Sequence, residues 1–257
     1  MSGDTIQDKD ISLTFAKGMD VLKAFDAAHT HLSIADIVRI TGYDRAAVRR
    51  LVLTLVHLGY VRQSGRVFSL TPHILILAGG FLQGRGFGKS IQPLIKSCSR
   101  ELGEAISLAM IDGLEAVYVA HAGVEDYMVS FGFTIGSRVP LLQTAIGRAL
   151  LAFGEPDAMQ PLIEAAPLER FTGDTLMERE AIRGAVRTAA EKGYAFVDDE
   201  FEPGVAALAV PVGRRGTASA AIGISGTRDA YRSTEYFDKA VRTLRQCASA
   251  LEPLLAE

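Results

Sequence analysis

The chain of 257 residues has no tryptophan, only two cysteines, and aromatic side chains at just 7% of its length. Cys98 and Cys247 are too few for a disulfide framework and have no neighbours at metal-ligand spacing, so both are expected to be plain core or helix-face residues. No apolar run reaches the roughly 18 residues that a membrane-spanning helix needs. The opening MSGDTIQDKDIS is polar and partly acidic, unlike a secretory leader, which places the expected protein in the cytoplasm. No internal repeat or low-complexity segment is evident. What remains is ordinary for a globular protein: 48% hydrophobic and 22% charged residues exclude wholesale disorder, and the length favours two domains over one.

The net charge of −3 argues against a nucleic-acid partner until it is divided along the chain. Residues 1–80 hold nine Lys/Arg against seven Asp and no Glu, whereas the remainder holds 18 against 23. Between Arg39 and Arg66 the contrast sharpens: Arg39, Arg45, Arg49, Arg50, Arg62 and Arg66 face a single acid, Asp44. Guanidinium groups suit bidentate contacts to phosphates and guanine edges. A merely solvated helix face is the plain alternative.

Apolar spacing predicts a first helix over 14–28 with Phe15, Met19, Leu22 and Phe25 on one stripe. A second begins at Ser33, with Asp36 completing a capping box, and stops at Gly42. The third starts at Asp44; on a helical wheel Val48, Leu51, Val52, Leu55 and Leu58 share one side, while Arg45, Ala46, Arg49 and Arg50 share the other. Leu53 breaks the pattern by projecting among the arginines, and is expected to touch the wing or a partner. Val61-Arg62-Gln63, a Ser64-Gly65 turn and Arg66-Val67-Phe68-Ser69-Leu70 read as a short hairpin. Three helices and such a hairpin make a winged helix-turn-helix, in which the third helix reads a half-site of double-stranded DNA and the wing straddles the backbone. A winged helix used only for protein contacts is the alternative.

At this point the blocks FAKGMDVLKAF, LSIADIVRITGYDRAAVRRLVLTLVHLGYV and FSLTPHILILAGGFL resemble the DNA-binding domain of the IclR family of bacterial transcriptional regulators. GSRVPLLQTAIGRALLA, PGVAALAVPV and SAAIGISG resemble that family's effector domain. DRAAVRRLVLTLVHLGYV and the later LTP most resemble the branch that regulates aromatic-acid catabolism by the β-ketoadipate pathway. Leu141-Leu142-Gln143 departs from that branch and from the usual PLH of the family.

After Pro72 the run HILILAGGFLQ reads as a connecting helix whose apolar side must pack on the DNA-binding domain or on another subunit, and Gly84, Gly86 and Gly88 read as a hinge. A phosphate-cradling loop is the sharper alternative, but no strand precedes these glycines. Strand-like runs follow at 105–110, 116–120, 128–133, 194–197, 205–212 and 219–225, and helical ones at 90–102, 142–153, 177–192 and 234–255. Clustered strands with helices between them predict an α+β fold with an antiparallel sheet, and the resemblance implies that it is GAF-like. The expected division is a DNA-binding domain over 1–71, a connecting helix and hinge over 72–89, and an effector domain over 90–257.

The resemblance also implies where a small molecule sits. Carried over residue by residue, the pocket takes Val139, Ala145 and Ile146 from one side, Val205, Ala207, Gly223 and Ser225 from the sheet, and Asp198 or Asp199 from the acidic turn. Family members that bind two- or three-carbon keto acids have Cys in place of Ala207 and Ser in place of Gly223, so the pocket here is expected to be larger and less polar. That suits an aromatic acid, whose carboxylate would seek Arg138 or the helix start near Thr144. Tight sheet packing is the plain reading of each small residue taken singly.

A hydrolase is the remaining alternative. Gly223-Ile224-Ser225-Gly226 is a fragment of a nucleophile elbow without its second glycine at the right spacing, and with His29, His31, His57 and His73 in the DNA-binding half or its connector only His121 remains to serve as base, with Asp198 behind it. Asp198, Asp199, Glu200 and Glu202 could hold a metal but have no accompanying histidine. The expectation is therefore no catalysis, no cofactor and no metal, but a homodimer or dimer of dimers that binds an operator and a small organic acid.

Overall fold

The computed structural model describes residues 10–26, 28–123 and 134–255. Two compact units divide the chain between Phe81 and Leu82. In the first, helices α1 (Leu13–Lys23), α2 (Ile34–Thr41) and α3 (Arg45–His57) pack with a three-stranded sheet of β1 (Leu32–Ser33), β2 (Val61–Ser64) and β3 (Val67–Leu70), in the order β1-β3-β2. The boundaries follow from local chemistry. Ser33 and Asp36 form a reciprocal capping box at the start of α2, Gly42 ends it in the left-handed region at φ 71°, and the Asp44 carboxylate accepts the Ala47 N–H at 2.9 Å to open α3. The β2–β3 hairpin pairs Ser64 with Val67 across Gly65 and Arg66, and Gly65 supplies the positive φ of 61° that a two-residue turn requires.

Four details of the first unit differ from the sequence expectation. α1 stops at Lys23 rather than near residue 28, because the Asp26 carboxylate captures the backbone N–H groups of Ala28 and His29, both at 2.8 Å, and offers a turn in place of another helical one. Val21 is the buried residue of α1, Ala24 and Phe25 are buried just past its end, and Phe15 is 71% exposed. In α3, Leu58 is the exposed C-cap, and Leu53 packs half-buried against this unit's own core instead of reaching for a partner.

Helix α4 (Ile74–Gly84) crosses the division between the units, and none of its residues is buried. Leu75 and Ile76 are 65% and 66% exposed. Of the three glycines expected to form a hinge, Gly84 is helical, Gly86 turns through positive φ (67°), and Gly88 lies inside a single π-helical turn, Phe87–Ile91, that runs into α5 (Gln92–Leu102). Buried Phe87 and Ile91, four positions apart, anchor that turn in the second unit's core.

The second unit is built on one six-stranded antiparallel sheet in the order β6-β5-β4-β9-β8-β7. Its strands are β4 (Ile106–Asp112), β5 (Glu115–Ala122), β6 (Arg138–Pro140), β7 (Ala195–Asp198), β8 (Val205–Val212) and β9 (Ala220–Thr227). Strand alternation distributes side chains to two cores. Leu108, Ala206, Leu208, Val210 and Ile222 face α5 and the long helix α9 (Thr234–Leu255), where Cys98 and Cys247 meet as buried thiols. Burial above all, with its neighbour Cys98 and nearby Glu101, pushes the Cys247 thiol up. Ala109, Val197, Ala209 and Ala221 face α6 (Ala145–Phe153), α7 (Pro156–Ala165) and α8 (Arg179–Lys192). The α+β class with an antiparallel sheet is as the sequence indicated. α7, opened by Pro156 and interrupted in pattern by Pro161, was not foreseen, nor were the short β1 and β6. The strand expected at 128–133 lies outside the described residues. Among the described residues no helix is long and apolar enough to cross a membrane.

Strand β5 breaks the alternation. Its register with β4 pairs Leu108 with Ala120 and Ala109 with Tyr118, so Val119 is an extra residue. Val119 and Ala120 both point to the α5–α9 core, which sends Tyr118 and His121, three residues apart, to the opposite face together.

Candidate functional site

Two surfaces carry the chemistry. On the first unit, α3 buries Val48, Val52 and Leu55 and leaves Arg45, Ala46, Arg49 and Arg50 in solvent. Arg62 on β2 and Arg66 at the hairpin tip are exposed as well. None of these five guanidinium groups makes an ion pair or hydrogen bond among the described residues, whereas Arg39, in the last turn of α2, is held by Asp36 at 2.8 Å. Five unneutralised arginines beside a small alanine on a protruding helix and hairpin form an anion-binding face that can approach a polyanion closely.

In the second unit, a cavity of about 70 Å³ lies between the sheet and the start of α6. By the same measure one water needs roughly 10–15 Å³, so the cavity admits a molecule of several heavy atoms. It brings together seven of the nine expected residues: Val139, Ala145, Ile146, Val205, Ala207, Gly223 and Ser225. Thr144 caps α6, its hydroxyl accepting the Gly147 N–H at 3.1 Å and donating to the Pro140 carbonyl at 2.7 Å. The open end of α6 thus faces the cavity with its positive dipole end. Gly223 allows this approach: a Cβ there would lie 3.1 Å from Ile146 Cγ1 and 2.9 Å from the Leu208 carbonyl oxygen. Gly147 is tighter still, with the Leu141 carbonyl oxygen 2.2 Å from where its Cβ would be. The missing side chain at Gly223 therefore admits α6 as well as a ligand, so that glycine enlarges the cavity less than the sequence suggested.

Arg138 and Asp198 do not line the cavity. Arg138 sits on the edge strand β6, exposed, where Asp112 and Glu115 from the β4–β5 turn hold its guanidinium, Glu115 at 2.8 Å. Asp198 Oδ2 accepts a hydrogen bond from the Arg228 Nε at 3.1 Å, and Asp199, at φ 61°, accepts the Gly204 N–H and bonds the same arginine at 3.2 Å. Glu200 turns the other way to a bidentate pair with buried Arg148 at 2.7 and 2.5 Å. The acidic turn is thus spent on two arginines, and among the described residues no group of three His, Cys, Asp or Glu could hold a metal. Only Glu202 of the four reaches the cavity, where burial pushes its carboxyl up.

Sequence reasoning missed the cavity's polar corner. Ser107 on β4 and His121 on β5 line it, with Ser107 Oγ 2.9 Å from His121 Nδ1. Burial lowers the His121 pKa from its usual value near 6.5, which keeps the imidazole neutral. Tyr118 lines the same side, and burial, then Glu202, pushes its phenol up to about 12. Among the described residues no Lys or Arg lines the cavity. The alternative hydrolase triad is not assembled: His121 is paired with Ser107 and Asp198 with Arg228.

Residues 14–65 match the IclR helix-turn-helix domain, and residues 80–252 match the bacterial transcriptional regulator IclR C-terminal domain. The chain is 33% identical to the Pca regulon regulatory protein of Pseudomonas putida over 80% of its own length and 70% of the relative's. It is 26% identical to the p-hydroxybenzoate hydroxylase transcriptional activator of Acinetobacter baylyi, over 99% and 96% of the two chains. A crystal structure of a putative transcriptional regulator from Rhodococcus sp. RHA1 superposes with a TM-score of 0.78 at 31% identity, covering 96% of this chain and 99% of the other.

Proposed function

Because the chain belongs to the IclR family of bacterial transcriptional regulators, we propose that it controls an operon for aromatic-compound degradation in response to a small aromatic acid. The observation that carries this reading is the division of labour between unpaired arginines on α3 and the hairpin and a cavity without cations in the second unit. Arg45, Ala46, Arg49 and Arg50 read the major groove while Arg62 and Arg66 hold the backbone. One such helix covers a half-site, so the operator is a partial palindrome and the protein a homodimer or dimer of dimers. The exposed Leu75, Ile76 and Leu77 of α4 supply apolar surface for a second copy. An activator of p-hydroxybenzoate hydroxylase among the relatives supports the aromatic class.

In the cavity, Val139, Ala145, Ile146, Val205, Ala207, Gly223 and Ser225 enclose the ring. With Arg138 committed elsewhere, the carboxylate is met by the N–H groups at the start of α6. The effector acts by binding two arrangements of the protein with different affinity.

The test is a gel-shift titration on the DNA upstream of the protein's own gene, with and without 4-hydroxybenzoate. Arg49→Ala and Arg50→Ala should each weaken binding at least tenfold without altering the thermal transition, and wild-type affinity should fall steeply with salt. Unchanged shifts would reject the α3 assignment, and a flat salt response would favour protein contacts over DNA.

A further inference from the structure

The bulge in β5 places a second recognition end in the cavity. The sheet registers set His121 opposite Ser107, and Ser107 opposite Gly223, in one cross-strand row. At about 4.8 Å per strand, His121 stands roughly 10 Å across the sheet from Gly223. Above Gly223 sits Ile146 in the first turn of α6. Among the polar groups that line the cavity, which include Tyr118, Glu202 and Ser225 as well, the open amides of α6 and the Ser107–His121 pair lie at opposite ends of this row.

These ends differ in chemistry. The start of α6 offers backbone N–H groups and a positive dipole end, which suit an anion. The Ser107–His121 pair offers no net charge, since burial keeps the imidazole neutral. With Nδ1 taken by Ser107, the remaining ring nitrogen, Nε2, has no partner among the described residues. It accepts a hydrogen bond if Nδ1 carries the proton and donates one if Ser107 does. A hydroxyl can answer either state because it both donates and accepts; a carboxylate can only accept.

We propose that His121, oriented by Ser107, is the specificity residue for a ring hydroxyl, so that the effector is a hydroxylated aromatic monocarboxylate lying with its carboxylate at α6 and its hydroxyl at His121. This rests on the aromatic-acid reading above. One benzene ring with substituents at opposite ends bridges the two sites, whereas an unsubstituted benzoate offers the half-buried imidazole no partner.

Isothermal titration of the full-length protein with 4-hydroxybenzoate and with benzoate tests this. The wild type should bind 4-hydroxybenzoate about tenfold more tightly, the worth of one buried neutral hydrogen bond. His121→Leu should erase that preference while retaining benzoate affinity, and His121→Gln, which keeps a donor and an acceptor, should restore part of it. Ser107→Ala, a smaller change, should weaken the preference without removing binding, and stands in if His121→Leu fails to fold. Equal affinity for the two acids in the wild type, or a preference that survives both His121→Leu and Ser107→Ala, overturns the role of His121 and leaves the aromatic reading standing. If neither acid binds, the aromatic reading falls and this inference with it.

Discussion

Arg148 and Glu200 give the most direct test of what holds the cavity beside α6 in shape. Arg148, in α6, is 3% exposed and Glu200 11%. The two form a bidentate pair, Arg148 Nε donates to the Leu142 carbonyl at 2.7 Å, and Glu200 also accepts the Leu176 N–H at 3.2 Å. The pair thus ties α6 to the β7–β8 turn and to the loop before α8. Glu200→Gln preserves volume but leaves the guanidinium charge uncompensated in the interior and turns an amide donor toward it. Breaking a buried pair from one side costs about 3–5 kcal/mol. For a unit of this size each kcal/mol lowers the midpoint by roughly 2–4 °C, so the second unit's transition should fall by about 6–20 °C.

Replacing both partners, Arg148→Met with Glu200→Leu, removes the orphaned charge and leaves only the Leu142 carbonyl and the Leu176 N–H to satisfy, about 1–3 kcal/mol each. The double variant should therefore lose about 2–6 kcal/mol, clearly less than the sum of its two single changes at about 3–5 kcal/mol each. Urea denaturation of wild type, both singles and the double closes the cycle. If Glu200→Gln shifts the unfolding free energy by less than about 1 kcal/mol, or if the single effects add, the pair is relaxed by solvent and the argument from burial fails.

Three further outcomes follow from the same geometry. Gly147→Ala should destabilise the second unit by at least the ~1–3 kcal/mol of a strained overpacked site, because its Cβ would lie 2.2 Å from the Leu141 carbonyl oxygen; a midpoint within 2 °C of wild type would contradict this. His121 is held below its usual pKa near 6.5 by burial, so below that pH the unfolded chain takes up a proton that the folded one resists. Stability should therefore decline as pH falls through 6.5 toward the folded pKa, and His121→Gln should flatten that part of a thermal-melt series; identical slopes would assign the proton elsewhere. Ala207→Phe, filling the cavity from β8, should abolish the 4-hydroxybenzoate response in gel shifts but leave DNA affinity intact, and a normal response would move the effector elsewhere.

Much of the first unit was legible because its signals are local. Ser33, Asp36, Gly42 and Asp44 act within one helical turn of themselves, so their capping roles could be read without knowing the fold. The fate of Leu53 and Leu58 could not, since it depends on which side of α3 the small core closes over. In the second unit β8 and α9 coincide with their sequence boundaries because β8 is an unbroken apolar run of eight residues between Gly204 and Gly213, and helical spacing persists over the 22 residues of α9. α7 escaped because two prolines mimic a loop. Arg138 and Asp198 were misplaced for a different reason: an ion pair with a residue distant in sequence, such as Arg228, leaves no local trace. His121 was overlooked as a cavity residue because strict period two assigns it to the face opposite Tyr118.

The extra residue in β5 has a bearing on how chain length can vary in this unit. With Val119 and Ala120 turned to the same side, removing either would straighten the strand and still leave Tyr118 and His121 on the cavity side and Ala122 against α5. A gap of one codon at this point would be silent in three dimensions. The same gap two residues earlier, at Ala116 or Val117, would carry one half of the strand to the wrong face. A sequence alignment that opens a gap at Val119 would thus preserve the cavity, while one that shifts the gap to improve the apparent alternation would pair the wrong residues with His121.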